Sequence, residues 1–296
     1  PEKSRELFLR HTFLSIFVKF LIHEKMSGVK TTSPSISKII FGEYFQKQGI
    51  RNFIEEDFFV WPMSKPIESE ANKIFEPLLK SISKFDLSRI EEDVLKSLYQ
   101  DMVSPEVRQN LGEFYTPDWL AEDLVKRGLD DNPEKTVLDP SCGSGTFLFK
   151  TIQYKKNFLI KQGWSKPKIL EHILQTVSGL DIHPLAVLIS KTNYLLALQD
   201  LVSSKNNPIT IPVYLSDSLK IPSKVANLDY SIETYAYPAV SNEVFYFPLS
   251  IINNPKYFDK LIELMNSISK QFSMIFEKNK ILFPKKDGSF QKHIDS

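Results

Sequence analysis

The sequence is short of cysteine, of net charge and of long apolar runs, and each shortage removes a class of function. A single cysteine, Cys142, excludes an intramolecular disulfide framework and a cysteine-based zinc site. Five scattered histidines show no metal-ligand spacing, so no metal is expected, and the cysteine usage fits a reducing, cytoplasmic setting. Lys and Arg number 37 against 36 Asp and Glu, a net charge of +1, so no global field draws the chain onto nucleic acid or an anionic membrane. Any such contact has to be local. The longest apolar stretch, Leu7 to Ile22, is interrupted by Arg10, His11 and Lys19 and is too short and too charged to span a bilayer, so no membrane is expected as a partner. Pro1 stands where a Met would, and Ser296 ends a polar run, which points to a piece of a longer product.

What is present is 296 residues, 42% hydrophobic and 25% charged, enough for one large or two ordinary globular domains. From Glu6 to Met26 the apolar residues Leu7, Phe13, Leu14, Phe17, Phe20 and Leu21 recur at helical spacing with Arg10, Lys19 and Glu24 between them, which predicts one amphipathic helix. Further helices are predicted over Ile39 to Gln48, Glu70 to Phe85 and Ser88 to Met102, and Pro105 opens a different texture. From Leu111 short β-branched runs alternate with helical patterns. The runs Thr136 to Asp139, Val177 to Asp181 and Val213 to Asp217 each end on an aspartate, and the intervening helices cover Phe147 to Gln162, Lys168 to Gln175 and Pro184 to Leu201. Strand, helix, strand, helix, strand predicts a parallel sheet, whose ligands sit at the carboxyl ends of the strands, where all three aspartates fall. After Lys220, Tyr230 to Ile252 reads as extended and Pro255 to Phe276 as a helix.

The strand ending at Asp139 runs into Pro140-Ser141-Cys142-Gly143-Ser144-Gly145-Thr146-Phe147 and then a helix. Two glycines at such a turn let the backbone approach a ligand and leave the first helical N–H groups free for its polar atoms. A P-loop is excluded because no Gly-Lys-Ser/Thr follows. The dinucleotide fingerprint fails at Leu148, where its third glycine belongs, and Asp181 lies further past the turn than that fingerprint's acid. A strand-end carboxylate still suits the two vicinal hydroxyls of a ribose.

Gly112-Glu113-Phe114-Tyr115-Thr116-Pro117, then Asp139 to Phe147, then Gly179-Leu180-Asp181-Ile182-His183-Pro184 resemble, in this order, the methyl-donor motifs of the N6-adenine DNA methyltransferases of restriction-modification systems. The resemblance covers Leu111 to about Leu219. More loosely it takes in the helical N-terminal region, which is similar to the one ahead of the catalytic domain in type I modification subunits and type IIG enzymes. It implies an α/β fold: a Rossmann-like S-adenosylmethionine-dependent methyltransferase core with a partial parallel sheet, behind a mostly α-helical N-terminal domain. The domains are then expected at 1–110 (helical), 111–220 (first half of the cofactor-binding core) and 221–296, an extended and helical insertion or linker leading to a catalytic loop.

The resemblance also assigns roles. Tyr115, Thr116 and Pro117 would lie against the methionine part of S-adenosyl-L-methionine. Asp139 and the turn Ser141, Cys142, Gly143, Ser144 and Gly145, running into Thr146 and Phe147, would hold its amino-acid portion, whose ammonium and sulfonium favour a nearby carboxylate. Asp181 would bind the ribose hydroxyls, Ile182 would pack on adenine, and Asp217, with Ser218 and Leu219, would accept from the adenine amino group. These enzymes complete the site with an Asn/Asp-Pro-Pro-aromatic loop that holds a flipped-out adenine. No such string occurs here, so no catalytic residue is assigned and the loop is expected beyond Ser296. Asn253-Asn254-Pro255-Lys256-Tyr257-Phe258 comes nearest, and reads as a helix cap with Pro in the first turn.

Plainer explanations stand beside these. Asp181 and Asp217 also suit cap or turn positions, Cys142 a small buried residue, and His183 a surface or capping residue. Lys155, Lys156, Lys161, Lys166 and Lys168 read as a solvated helix face rather than a phosphate contact. The function expected is the cofactor-binding region of a site-specific DNA adenine-N6 methyltransferase, meeting double-stranded DNA through domains outside the chain or a specificity subunit. The alternatives are a non-catalytic cofactor- or partner-binding module, and a methyltransferase acting on RNA, protein or a small molecule.

Overall fold

The computed structural model describes residues 2–27, 35–54, 59–85, 94–110, 116–220, 223–227, 232–238, 244–254, 256–258, 260–261, 263–265, 267–268, 283–284 and 290–291. Pro1–Ser218 form one compact unit and Leu219–Ser296 a second.

Helix α1 spans Glu2–Ser27, longer than expected at both ends. Its second half is not amphipathic. Leu14, Ile16, Val18, Phe20, Leu21 and Ile22 are buried, but so are Ser15, Lys19 and His23, because α1 is surrounded by α2 (Ile36–Ile40), α4 (Glu68–Ile82), α5 (Val94–Met102) and α10 (Pro184–Leu198). Lys19, expected on a solvent face, instead donates from Nζ to the Ile40 carbonyl at 3.0 Å. The helix expected over Ile39 to Gln48 is two short ones, α2 and α3 (Glu43–Lys47), because the chain turns at Gly42 between them. Residues 86–93 lie outside the described residues. Pro105 opens α6 (Pro105–Asn110) at the first helical position, where its missing N–H costs nothing. The change of texture expected there comes later, after α7 (Asp118–Leu129), a helix not among those expected.

The sheet is as the alternation predicts. β1 (Val137–Asp139), β2 (Val177–Asp181) and β3 (Val213–Leu215) lie side by side in that order, all parallel, with Val137 opposite Val177 and Gly179 opposite Val213. α8 (Thr146–Lys161) and α9 (Lys166–Thr176) connect β1 to β2, and α10 followed by a 3-10 stretch (Gln199–Ser204) connects β2 to β3. The N-terminal third is built into the same unit: Ile50 makes an isolated parallel bridge with Ile209, and Asn52 pairs with both backbone groups of Ile211, accepting its N–H at 2.7 Å and donating to its carbonyl at 2.8 Å. Lys191 of α10 closes this seam by donating to the Asn52 carbonyl at 2.6 Å.

The lysine face expected to be solvated is split. Lys161, Lys166 and Lys168 are exposed, but Lys155 and Lys156 are buried. Lys155 Nζ donates to the Lys135 carbonyl at 2.6 Å and to Thr176 Oγ1 at 2.7 Å, which ties the residues ahead of β1 and β2 to α8. Lys156 donates to the Ala197 carbonyl at 3.2 Å. Lysine stems are long enough to lie in a core while the head finds carbonyls, an option that periodicity does not reveal.

In the second unit β4 (Ser223–Asn227), β5 (Ile232–Pro238) and β6 (Val244–Pro248) form an antiparallel sheet in sequence order. The expected extended segment ends earlier than Ile252, since Leu249–Ile252 form a helical turn, α11, started by Pro248. The Asn254 carbonyl accepts the N–H groups of Tyr257 and Phe258 at 3.0 and 3.1 Å, so this asparagine opens a helical turn as the capping reading requires. The later part of the helix expected over Pro255 to Phe276 lies outside the described residues, which end there at 268. β7 (Phe283–Pro284) and β8 (Phe290–Gln291) make a two-residue antiparallel pair. Among the described residues no helix is long and apolar enough to cross a membrane, and no three His, Cys, Asp or Glu side chains gather where they could hold a metal ion.

Candidate functional site

Parallel neighbours end side by side, so the register that sets Asp139 opposite Gly179 brings the carboxyl ends of β1 and β2 together. The turn Pro140 to Gly145 is folded over them by its own hydrogen bonds. Ser141 N–H donates to Asp139 Oδ1 at 3.2 Å, Cys142 N–H to the Leu180 carbonyl at 2.8 Å, Gly143 N–H to Asp181 Oδ2 at 2.8 Å, and Gly145 N–H to the Cys142 carbonyl at 2.7 Å. These four donors of the turn are taken within the chain, and the N–H groups expected to be free are those that follow in the first turn of α8. The other oxygen of Asp181 accepts the His183 N–H at 2.8 Å and so starts the chain toward α10, in keeping with the turn or cap position that the sequence also allowed.

Gly143 and Gly145 are both left-handed, with φ of +52° and +86°. They differ in surroundings. A side chain at Gly145 would collide with Ser190 of α10, whereas one at Gly143 would meet no atom of the described residues within 4 Å. Gly145 serves close packing of the turn on α10, and Gly143 borders open space. Asn193 of α10 adds a hydrogen bond to the Ser144 carbonyl at 2.8 Å.

Electrostatically the site is acidic. Burial raises the Asp139 carboxyl above its ordinary pKa and the Asp181 charge adds to the rise, outweighing the Ser141 hydrogen bond. Among the described residues no Lys, Arg or His pairs with Asp139, and Asp181 bonds only backbone N–H groups. A cation entering this space would relieve both the burial and the repulsion. Cys142 is of the opposite kind: its side chain is buried, and that burial pushes the thiol up to about 12, which suits packing and excludes a thiolate nucleophile near neutral pH.

The other expected residues fall as follows. The β3 end is joined to the site where Ser216 N–H donates to the Asp181 carbonyl at 2.9 Å, and Asp217 and Ser218 follow it, half-buried. Ile182 is 69% exposed beside Asp181, open to contact. Thr146 is buried and Phe147 half-buried in the first turn of α8. Thr116 and Pro117 immediately precede α7, with Thr116 half-buried. Tyr115 lies outside the described residues. Leu219, the first residue of the second unit, is exposed. His183 is half-buried rather than on the surface; its ring stands edge-on to that of His11 from α1 at 5.4 Å, and its Nδ1 lies 3.4 Å from the Ala186 N–H in a capping position.

Sequence reasoning missed three groups around this site: Lys96, Asp118 and Lys150, which form one ion-paired cluster beside Thr116. It also missed Asn193. The signal for the latter was available, because Lys191-Thr192-Asn193 interrupts an otherwise apolar helical run.

Comparison with known proteins bears on what this arrangement belongs to. The family described as N-6 DNA Methylase matches residues 90–280, more than half of the chain. A type I restriction enzyme MjaVII methylase subunit from Methanocaldococcus jannaschii is 29% identical over 135 residues, covering 45% of this chain and 20% of the relative. The type I restriction enzyme EcoEI methylase subunit from Escherichia coli is 28% identical over 124 residues, 40% of this chain and 24% of the relative. The type II methyltransferase M.VspI from a Vibrio species is 27% identical over 137 residues, 46% of this chain and 29% of the relative. The chain thus spans less than a third of the length of these relatives. Among solved structures, a DrdV–DNA complex has a TM-score of 0.44 at 15% identity, covering 74% of this chain and 25% of that one, a likeness that adds nothing to the assignment. On the extent of the family match, the chain belongs to the N-6 DNA methylase family.

Proposed function

We propose that this chain is the methyl-donor-binding region of a DNA adenine-N6 methyltransferase of a restriction-modification system, with S-adenosyl-L-methionine as the donor. The observation that carries the reading is the pair of carboxylates, Asp139 and Asp181, at neighbouring strand ends beneath a turn whose Gly143 borders open space. The donor is a zwitterion with an extra sulfonium charge, so an acidic site with no cation from the described residues paired to it fits, and the raised Asp139 carboxyl is the group whose ionisation its ammonium would favour. When bound, it would supply an electrophilic methyl group. Asp139 and the turn from Ser141 to Gly145, with Thr146 and Phe147 beyond, would hold the amino-acid portion, with Tyr115, Thr116 and Pro117 against the methionine part. Asp181, already anchored to two backbone N–H groups, keeps lone pairs for ribose hydroxyls, Ile182 offers an apolar surface to adenine, and Asp217 to Leu219 would meet its amino group.

Transfer also needs acceptors for the target amine, and no Asn/Asp-Pro-Pro-aromatic string occurs in the chain. Target positioning and recognition of double-stranded DNA are therefore assigned to domains or a specificity subunit outside it, in a cytoplasmic setting. That same missing string is what favours the second reading, a module that holds cofactor without chemistry. Calorimetric titration with S-adenosylmethionine tests the proposal: one site is expected, lost in large part in Asp181→Ala, with no labelled methyl passed to duplex DNA by this chain alone. Absence of binding by the unaltered chain sinks the cofactor reading, and strong methylation by it sinks the assignment of target positioning elsewhere.

A further inference from the structure

Three parts of the chain converge on one carboxylate just ahead of the glycine turn. Asp118 is the first residue of α7 and follows Thr116-Pro117 directly. Lys96, from α5, donates through Nζ to the Thr116 carbonyl at 2.6 Å and to Asp118 Oδ1 at 2.9 Å. Lys150, one turn into α8 from the glycine turn, places its Nζ 3.3 Å from Asp118 Oδ2. Both lysine side chains are largely withdrawn from water, at 12% and 14% exposure. Burial alone would raise the Asp118 carboxyl, but the two ammonium groups outweigh it and hold the carboxyl below its ordinary range. A screened surface pair would not do this.

The bonds fall where they restrict the backbone most. A residue before proline is already confined to extended conformations, and Pro117 itself sits at φ −59° and ψ 141°. Fixing the Thr116 carbonyl removes most of the remaining freedom of that peptide plane. The Asp118 to Lys150 contact then ties the segment to the helix that begins at the glycine turn. We infer that Asp118, with Lys96 and Lys150, is a latch that pre-organises Thr116-Pro117 against the glycine turn and so sets the affinity for the methyl donor. This rests on the reading that Thr116 and the turn hold that donor. Asp118 and Lys96 are positioning residues, and through Lys96 the helical N-terminal third becomes part of the cofactor site. Ordering the segment before the ligand arrives removes an entropic cost from binding, so loss of the latch appears in affinity as well as in stability.

The test uses the full chain, with S-adenosylhomocysteine titrated calorimetrically and ligand-free thermal unfolding recorded for each variant. Asp118→Asn and Lys96→Ala are expected to weaken binding about 5- to 20-fold, the lower range of coupling between sites, at a temperature where both remain folded. The double variant should be little weaker than either single one, and Lys96→Arg should recover most of the affinity. Lys96→Ala leaves Asp118 paired with Lys150, so it decides the matter if Asp118→Asn does not fold. A purely structural bridge would lower the unfolding temperature and leave affinity unchanged. That result, with Asp181→Ala still weakened, overturns the latch and spares the cofactor reading; an unaffected Asp181→Ala overturns both.

Discussion

The two left-handed glycines of the turn allow fold and ligand to be separated by single methyl groups. In Gly145→Ala the new Cβ would lie 2.5 Å from Ser190 Oγ and 3.1 Å from Ser190 Cα, so backbone of α10 has to move. The left-handed conformation costs a non-glycine residue about 1–2 kcal/mol. Forcing a methyl into a packed contact adds about 1–3 kcal/mol. A loss of about 2–5 kcal/mol is expected for Gly145→Ala. Gly143→Ala carries the conformational cost alone, about 1–2 kcal/mol, since no atom of the described residues lies within 4 Å of its Cβ. Its methyl group, however, enters the space proposed for the donor's amino-acid portion, and binding should weaken by about tenfold or more, equivalent to about 1.4 kcal/mol. Urea denaturation followed by circular dichroism gives the stabilities, and calorimetry with S-adenosylhomocysteine gives the affinities. Equal destabilisation by the two substitutions would refute the packing argument at Ser190. Undiminished donor binding by Gly143→Ala would refute the assignment of the open space to the ligand.

Other expectations follow from buried polar groups. Burial, helped by His183, lowers the pKa of His11 from 6.5 to about 4, and burial also lowers that of His23 against the opposing pull of Glu24. The unfolded chain then binds protons that the folded one refuses, so stability should fall as pH drops from 6.5 toward 4, and the urea midpoint should decline less in His11→Asn; a pH-independent midpoint across that window contradicts the burial. Cys142, with its thiol pushed up to about 12, should resist iodoacetamide at pH 8 in the native chain and react readily in urea; equal rates in the two states would place it at the surface. Asn52→Ala strips two hydrogen-bond partners from the backbone of buried Ile211 and should cost about 2–3 kcal/mol in urea titration, whereas a change under about 0.5 kcal/mol would mean that water replaces the side chain.

The sheet and its acids were legible in the sequence because β-branched runs ending on aspartate alternate with helices, and parallel topology follows from that order. β2 was read to the residue, and β1 and β3 within two residues of their ends. What escaped notice was long-range or atomic. Periodicity places a lysine on the polar side of a helix, yet Lys19, Lys155 and Lys156 lie in the interior because carbonyl oxygens from other elements meet their ammonium groups. Likewise, the glycines of the turn were visible but the use of its N–H groups was not, since that depends on Leu180 and Asp181, strand residues nearly 40 positions away in the case of Gly143, at a separation of 38. α7 went unrecognised although Asp118 opens it and Lys126 and Arg127 close it, a charge arrangement that favours a helix.

The seam between Asn52 and Ile211 joins residues 159 positions apart, and the Lys191 bond beside it spans 139. On a ribosome such a seam cannot form until both strands of it have left the exit tunnel. Ile50 and Asn52 therefore wait for Ile209 and Ile211, and Lys191 completes the join beside them. Contacts of this span slow folding, because loop closure has to precede the reward. Nascent chains stalled before residue 211 should accordingly lack this seam and stay bound to chaperones longer than chains that include it.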